Sequence, residues 1–330
     1  MRILFITSTH IGDTILSTGL LAHLIETYPD SDITVACGPA AAQLFRHTPR
    51  VERVIVMRKS KFAGHWRELL RATIGRKWDL VLDLRGSVTP YLLWADRRHV
   101  LQQDRAMHRV PHIASLLGLN PPPSPKIWPG PEAVARATTL IPDGRTVLAL
   151  GPTANWVKKA WPVDRFIRLI DHLTGPSGLL PGASILVEGG PGERESVAEL
   201  LAHIPEDRLI DQVGSDLLTA FACFQRSTLF IGNDSGLMHL AAASGVPTLG
   251  LFGPTDEALY APWGERAMSV RGDLTYGEIR GIAEYYDHTH PRSAMELLGV
   301  GRVAEAAAFL LRRCAEERQK PEEPRLRLVN

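Results

Sequence analysis

The sequence predicts an α/β protein made of two similar units, each with a parallel sheet covered by helices. Short, apolar, β-rich segments alternate with longer helical patterns, and this alternation begins again after a proline-rich connector over 119–131. The length agrees, because 330 residues exceed one typical core of roughly 150 residues. We expect a first unit over 1–142, a second over 143–300, and a last segment over 301–330 that holds a helix and a frayed tail.

The first half contains four apolar segments with strand character and two helical patterns. In the helix after the first strand, Leu16, Leu20 and Leu24 fall at helical spacing. The predicted order is strand Arg2–Thr7, helix Asp13–Tyr28, strands Ile33–Cys37 and Val54–Met57, helix Trp66–Ile74 and strand Leu80–Leu84.

After the connector, where repeated prolines prevent a regular element, the alternation continues. A helix over Glu132–Leu140 comes first. Strands are predicted at Val147–Leu150, Ser184–Val187, Thr228–Ile231 and Thr248–Phe252, and helices at Val163–Leu173, Glu195–Ala202, Asp216–Gln225, Leu237–Ser244 and Val303–Glu317.

Composition excludes several classes of protein. The 37 Lys and Arg residues against 36 Asp and Glu residues leave a formal net charge of +1. The chain as a whole therefore has no strong positive electrostatic field that would attract nucleic acid. Its three cysteines lie far apart without a CxxC pair, which argues against disulfides and a zinc site and fits a reducing cytoplasm. No segment approaches the roughly 18 apolar residues of a membrane span.

The turn after the first strand is the first candidate site. It contains Gly12 and then Asp13, at the carboxyl end of a strand, where open α/β sheets bind ligands. Asp13 is a candidate helix cap, or a carboxylate that accepts a proton from an attacking hydroxyl. No GxGxxG follows this strand and no GxxxxGK[ST] occurs, so the dinucleotide and P-loop motifs are absent.

Three further motifs follow strands of the second half. The segment 151–162 carries Lys158 and Lys159 ahead of a Trp-Pro step, and these lysines either neutralise a phosphate or are simply solvated. The segment 232–239 places Asn-Asp-Ser-Gly at the start of a helix, whose free N–H groups suit a pyrophosphate. The glycine-rich loop 188–195 ends in Glu193 and Glu195, which either bind ribose hydroxyls or occupy the first turn of a helix.

Together these segments resemble glycosyltransferase family 9, the heptosyltransferases of lipopolysaccharide core assembly. The match rests on Ile11-Gly12-Asp13-Thr14 near the start, Lys159-Ala160-Trp161-Pro162, and Asn233-Asp234-Ser235-Gly236 with His239, continuing to 250–255. Each motif alone is weak, but several in the right order are specific.

The resemblance implies a GT-B fold, in which two Rossmann-like domains face each other across a cleft and the final helix crosses back to the first domain. It implies metal-independent, inverting transfer of a heptose or related sugar from an ADP-sugar to a hydroxyl of a lipopolysaccharide-core or related glycan acceptor. The first domain would hold the glycolipid or oligosaccharide acceptor and the second the nucleotide sugar. The donor is a substrate, and no cofactor, metal or nucleic-acid partner is implied.

The resemblance also assigns roles to single residues. Asp13 becomes the general base, and Lys159 becomes the partner of the leaving diphosphate, helped by backbone amides near Ser235 and Gly236. The other donor contacts would be Thr153, Asp234 and His239, with Glu193 on the ribose and Glu195 as the alternative. Asp83 and Arg85 would meet the acceptor, although relatives often carry an amide side chain where Arg85 stands. Relatives also often carry cysteines in the region 285–292, and this sequence has none there.

A basic cluster in the first half has two interpretations, a solvated face or a contact with an anionic lipid acceptor or leaflet at the inner face of the membrane. Its members are Arg58, Lys59, Lys61, Arg67, Arg71, Arg76 and Lys77.

Three functions fit the sequence. The first is the inverting glycosyltransferase, the second a sugar-nucleotide epimerase or hydrolase on the same scaffold, and the third a nucleotide-sugar-binding protein without catalysis. The joint presence of Asp13, Lys159 and the Asp234–His239 set argues against the third.

Overall fold

The chain folds into two parallel β-sheets flanked by helices. The computed structural model describes residues 1–58, 64–102, 104, 106–287, 290 and 292–319. Lys59 and Lys61 of the basic cluster, residues 288, 289 and 291, and the tail from 320 onward lie outside the described residues. None of the helices within these ranges is both long and apolar enough to cross a membrane.

The first sheet has five parallel strands in the order β3-β2-β1-β4-β5. Its central strands consist mostly of apolar residues that are buried on both faces, as helical crossovers require. The elements are β1 Arg2–Ile6, α1 Ile11–Thr27, β2 Asp32–Cys37, β3 Val51–Val56, α2 Gly64–Thr73, β4 Trp78–Asp83, β5 Ala95–Val100 and α3 Arg109–Ser115.

The second sheet has six parallel strands in the order β11-β10-β9-β6-β7-β8. The elements of this half are α4 Pro131–Leu140, β6 Val147–Gly151, α5 Val163–Thr174, β7 Ser184–Gly189, α6 Ala198–His203, β8 Leu209–Val213, α7 Leu217–Gln225, β9 Leu229–Asn233, α8 Gly236–Ser244, β10 Thr248–Phe252, α9 Glu257–Tyr260, β11 Ala267–Arg271, α10 Tyr276–Arg280 and α11 Val300–Gln319.

The strands that the sequence pattern missed are β5, β8 and β11, and all three lie at sheet edges. An edge strand buries less of its surface, so it lacks the continuous apolar pattern of a central strand. β5 shows this most clearly, because its sequence is Ala-Asp-Arg-Arg-His-Val and its middle residues are exposed.

Helix packing joins the two sheets through a continuous apolar core. α1 of the first half packs against α8 of the second, and α4 packs against α7. The core that these helices share contains side chains from both halves, including Leu16 and Leu20 of α1 and Met238 of α8. The boundary after residue 142 stays a prediction, and the helix just before it contacts the second half.

The last helix packs against the second unit over its described length. Val303, Ala307 and Leu310 of α11 are buried in a core formed with α5 and the second sheet. α11 contacts α5, β10 and β11. The second half therefore covers the apolar stripe of this helix, and its crossing back to the first unit stays a prediction.

Each sheet has a switch point where the strand order reverses, between β1 and β4 in the first sheet and between β6 and β9 in the second. Open α/β sheets bind ligands in the crevice beyond the carboxyl ends of such strands. Asp13 follows β1, Arg85 follows β4, Lys159 follows β6 and Asp234 follows β9. The topology therefore places these four predicted site residues at the two switch points.

Candidate active site

Asp13 lies in the first turn of α1 with its carboxylate at the cleft. His10, not Asp13, occupies the cap position of this helix, so capping is not the role of the aspartate. Ser8 Oγ donates to Asp13 Oδ2 at 3.4 Å, and Arg109 Nε lies 3.6 Å from Asp13 Oδ1. The side chain is 20% exposed, so the carboxylate is oriented by neighbours and still open to a ligand.

The two adjacent lysines after β6 have different environments. Lys158 is buried, and its Nζ donates to the backbone carbonyls of Glu284, His290 and Arg292. Lys159 is partly exposed, and its Nζ lies 2.7 Å from Asp234 Oδ2. Solvation, the simpler interpretation for both lysines, is wrong for Lys158. Lys159 is the cation that reaches the carboxyl ends of the second sheet.

Asn233 holds the Lys159 loop against the end of β9. Its Nδ2 donates to the Pro152 carbonyl at 2.7 Å, and its Oδ1 accepts from the Trp161 amide at 3.0 Å. Asp234, the next residue, also accepts a hydrogen bond from Thr255 Oγ1 at 2.8 Å. The loops after β6, β9 and β10 are therefore joined through one short polar segment.

At the start of α8, polar groups lack a protein partner within the part of the chain that the structure describes. Ser235 stands at the cap position, yet its side chain makes no capping hydrogen bond, and its buried Oγ is unpartnered among the described residues. His239, one turn later, is 4% exposed, and its buried Nδ1 is also unpartnered there. Together with the free N–H groups of the helix start, these atoms are able to receive a phosphate.

Burial lowers the pKa of His239 to about 4, against the opposing effect of the carboxylates of Asp234 and Asp13. The charge of Lys159 also lowers this pKa. His239 is therefore neutral at pH 7, and it lies within electrostatic reach of both the Asp13 carboxylate and the Lys159–Asp234 pair.

Two glycines allow the amino ends of α1 and α8 to meet. A Cβ added to Gly12 would lie 2.9 Å from His239 Cδ2, and one added to Gly236 would lie 2.9 Å from Ile11 Cγ2. Real Cβ contacts are essentially never this short. Glycine at both positions brings Asp13, from one half, next to the helix start that carries Ser235 and His239, from the other.

A cavity of about 610 Å³ lies between the two halves beside this crossing. The first half contributes Asp13, Arg85 and Arg109 to its lining, and the second half contributes Thr255 and Tyr286. Thr255 connects the cavity to the Asp234–Lys159 pair through its hydrogen bond to Asp234. Asp13 thus lines the cavity, and Lys159 is linked to its lining through Asp234 and Thr255.

Arg109 is a residue of the cleft that the sequence analysis missed. Its Nη2 donates to the Leu84 carbonyl at 3.3 Å and its Nη1 lies 3.1 Å from His112 Nδ1, while its Nε faces Asp13 without a hydrogen bond. It begins α3, a seven-residue helix with no strong pattern. Its place after β5 gave no signal, because that edge strand was itself not predicted from the sequence.

Asp83 and Arg85, both predicted to meet the acceptor, have different roles in the structure. Asp83 is 0% exposed, and its two carboxylate oxygens accept from the backbone amides of Arg85 at 2.8 Å and Ser87 at 2.7 Å. It shapes the turn after β4 and is not among the side chains that line the cavity, so its acceptor contact stays a prediction that these hydrogen bonds do not favour. Arg85 lines the cavity with its guanidinium 4.8 Å above the Trp66 ring.

The glycine-rich loop after β7 is closed by Glu193, whose Oε2 accepts from the Gly190 amide at 2.6 Å. Thr153 is buried, and its Cγ2 lies close to Gly189 at the base of this loop. Glu195 is exposed at the start of a 3₁₀ turn. The structure thus orders Glu193 toward the loop and leaves Glu195 at the surface.

Aromatic side chains of the second half form the cavity wall opposite Arg85 and Arg109. Trp156, Tyr276 and Tyr286 line it. The Trp156 and Tyr286 rings lie 6.0 Å apart, and Tyr286 Oη donates to the Pro254 carbonyl at 2.8 Å. This wall gives the cavity a flat, largely apolar side opposite its two arginines. Across the described ranges, no group of three or more His, Cys, Asp or Glu side chains is arranged to hold a metal ion.

Comparison with known proteins agrees with this arrangement. The model of glycosyltransferase family 9 (heptosyltransferase) matches residues 85–282. Lipopolysaccharide heptosyltransferase 3 of Escherichia coli is 24% identical over 291 residues, which cover 76% of this chain and 83% of that protein.

Two solved structures share the fold along nearly the whole chain. The glycosyl transferase family 9 protein from Veillonella parvula DSM 2008 superposes with a TM-score of 0.77 at 23% identity, covering 94% of this chain and 97% of that one. The E. coli heptosyltransferase WaaC with ADP superposes with a TM-score of 0.69 at 19% identity, covering 94% and 100%. The two facing parallel-sheet units are therefore those of a GT-B fold. Because the family model matches more than half of the chain, the protein belongs to glycosyltransferase family 9, the heptosyltransferase family, and is a glycosyltransferase.

Proposed function

We propose that this protein transfers a heptose from an ADP-sugar to a hydroxyl of a lipopolysaccharide-core acceptor, by an inverting mechanism that uses no metal ion. The observation that carries the proposal is the crossing of α1 and α8, which brings the Asp13 carboxylate to the phosphate-suited start of α8. The relatives described above include lipopolysaccharide heptosyltransferases and a heptosyltransferase with ADP, which supports the choice of substrates.

In this proposal the second half holds the donor. The diphosphate lies at the start of α8, where the amides after Ser235, the Ser235 hydroxyl and His239 face it. Lys159 Nζ, now paired with Asp234, turns to the diphosphate when the donor binds. Such preorganised cations and amides stabilise the charge that develops on a leaving group. The buried Thr153 supports the loop after β6, and the Glu193 carboxylate accepts hydrogen bonds from the ribose hydroxyls.

The first half holds the acceptor, with Arg85 and Arg109 facing its anionic groups and the aromatic wall covering its sugar rings. Asp13 takes the proton from the attacking hydroxyl as the acceptor oxygen bonds to the anomeric carbon. The bond from that carbon to the diphosphate oxygen breaks, and the electron pair leaves with ADP. One displacement from the opposite face inverts the anomeric configuration. We place this reaction in the cytoplasm, where ADP-sugars are available to the cleft.

The test is an Asp13→Asn variant assayed for donor binding and turnover. Positioned proton transfer contributes about 10²–10⁴-fold, so we expect turnover to fall by that factor while ADP affinity by calorimetry stays unchanged. Near-normal turnover would remove Asp13 from the role of base.

A second assay separates transfer from epimerisation or hydrolysis on the same scaffold. The donor is incubated with and without a lipopolysaccharide-core acceptor, and ADP release is measured. We expect release only with the acceptor, and equal release without it would contradict transfer.

A further inference from the structure

A patch of large apolar side chains stands exposed on the first half, outside the lining of the cavity. Its members, which we call the 88–94 patch, are Val88, Tyr91, Leu92 and Trp94, exposed by 73%, 67%, 58% and 69%. Single exposed apolar residues are ordinary, but four large ones within seven positions are a concentration of apolar surface typical of an interaction site.

The patch stands on an ordered base. Arg98 Nε donates to the Pro90 carbonyl at 2.9 Å and its Nη2 donates to the Leu93 carbonyl at 2.7 Å. Thr89, Pro90 and Leu93 are buried, while the residues between and beside them point outward. The chain therefore presents these apolar side chains from a fixed 3₁₀ turn over Thr89–Leu92.

Basic residues lie on the helix next to the patch and in the segments that flank it. The 3₁₀ turn contacts α2, on which Arg67 and Arg71 are exposed. Across 64–77 and 88–98 the sequence holds six Lys and Arg residues against two Asp and Glu residues, a net charge of +4. The rest of the chain balances this charge, because the whole protein carries +1.

The position of the patch relates it to the acceptor side of the cleft. The segment leaves the turn after β4, where Arg85 lines the cavity and stacks on Trp66 of α2. It then reaches Ala95, which pairs with Trp78 at the opposite edge of the sheet. The patch thus runs along the side of the first half, from the cleft edge to the far edge.

We propose that the 88–94 patch and the basic face of α2 dock this enzyme on the surface of an anionic phospholipid bilayer. Tyr and Trp side chains favour the level of lipid headgroups, and nearby Lys and Arg side chains are attracted to anionic lipids. Docking along this side leaves the mouth of the cleft beside the bilayer, where a lipid-linked acceptor is presented. The inference extends the proposed function but needs neither donor nor acceptor, so the two are tested separately.

The test measures sedimentation of the full-length protein with phosphatidylcholine vesicles that do or do not contain phosphatidylglycerol. We expect binding only to the anionic vesicles. It weakens when salt is raised from about 0.1 M to about 1 M, because the Debye length falls from about 10 Å to about 3 Å.

The Leu92→Ser/Trp94→Ser double variant should lower vesicle partition at least about tenfold, since each buried apolar side chain contributes on that scale. Arg67→Glu/Arg71→Glu should lower it as well. The matched control is Phe309→Ser, which removes a 52% exposed side chain from α11 of the second half and should bind like the parent. Equal ADP affinity by calorimetry shows that each variant is folded.

Three results would overturn the proposal. Parent protein that stays in the supernatant with anionic vesicles is one, and patch variants that bind as well as Phe309→Ser are another. The third is a patch variant that loses only self-association in analytical ultracentrifugation, which would assign the patch to a second copy of the chain. Loss of turnover without loss of vesicle binding bears on the proposed function alone.

Discussion

The pH dependence of stability should report the buried imidazole of His239. Its pKa is lowered to about 4 because burial disfavours the charged form, while an exposed histidine in the unfolded chain has its ordinary value of 6.5. The unfolded chain therefore binds a proton more readily between these two values. The contribution of His239 to the free energy of unfolding is therefore greatest above pH 6.5 and decreases as the pH drops toward 4.

The magnitude follows from the two pKa values. Their difference, at about 1.4 kcal/mol per pH unit, gives about 3 kcal/mol lost once the pH is below 4. Urea unfolding followed by tryptophan fluorescence, from about pH 7 to about pH 4, measures this loss in the parent and in His239→Gln. As the pH falls from about 7 to about 4, we expect the parent to lose about 3 kcal/mol more of its free energy of unfolding than His239→Gln loses.

A difference between the parent and His239→Gln that stays constant across the range would refute the reasoning. Glu188 supplies a control of opposite sign, because burial raises the pKa of its carboxyl well above the ordinary value of 4.5. Its contribution to stability is full below pH 4.5 and is lost as the pH rises through the raised value. The variant Glu188→Gln should therefore gain stability relative to the parent as the pH rises.

Three further predictions concern the region around the crossing of α1 and α8. Lys159→Ala should lower turnover about 10²–10³-fold, because it removes a cation from the leaving group. Lys158→Ala should instead lower the midpoint of urea unfolding, because three carbonyls lose their donor. The reverse pattern would exchange the roles of the two lysines. Gly12→Ala should lower the free energy of unfolding by about 1–3 kcal/mol, because the added methyl group clashes with His239. Gly301→Ala, at a helical position with open space around it, should raise the free energy of unfolding by about 0.5–1 kcal/mol. Equal effects of the two substitutions would contradict the close crossing. ADP binding at about pH 6 should take up protons, because a diphosphate beside the buried imidazole favours its charged form; calorimetry in buffers of different ionisation enthalpy measures this, and no buffer dependence would place the phosphate elsewhere.

The sequence located those parts of the site that follow buried central strands. Asp13, Lys159 and the segment from Asp234 to His239 all come directly after such strands, and the carboxyl ends of parallel strands meet at one sheet edge. That local rule also indicated that the two halves are built alike.

The position of a residue after a buried strand does not predict contacts between segments that are distant in the sequence. Arg109 meets Asp13 across more than 90 positions of chain, and no motif marks it. Asp83 stands at a strand end like the true cleft residues, but the turn that follows it takes both of its oxygens. Of two neighbouring lysines, the pattern could not distinguish the one that enters the interior, since this is decided by carbonyls from 284–292.

The meeting of α1 and α8 also limits how the two halves can move. Gly12 packs against the His239 side chain, and Gly236 packs against the Ile11 side chain. Contacts this close oppose sliding of one helix along the other more than they oppose a small rotation. The halves can therefore rock about this fulcrum, and displacement grows with distance from it. Arg85 and the aromatic wall, farther out along the cleft, would separate most when it opens, while Asp13 keeps its spacing from the start of α8. Such a geometry admits a bulky acceptor without disassembling the groups that carry out the chemistry.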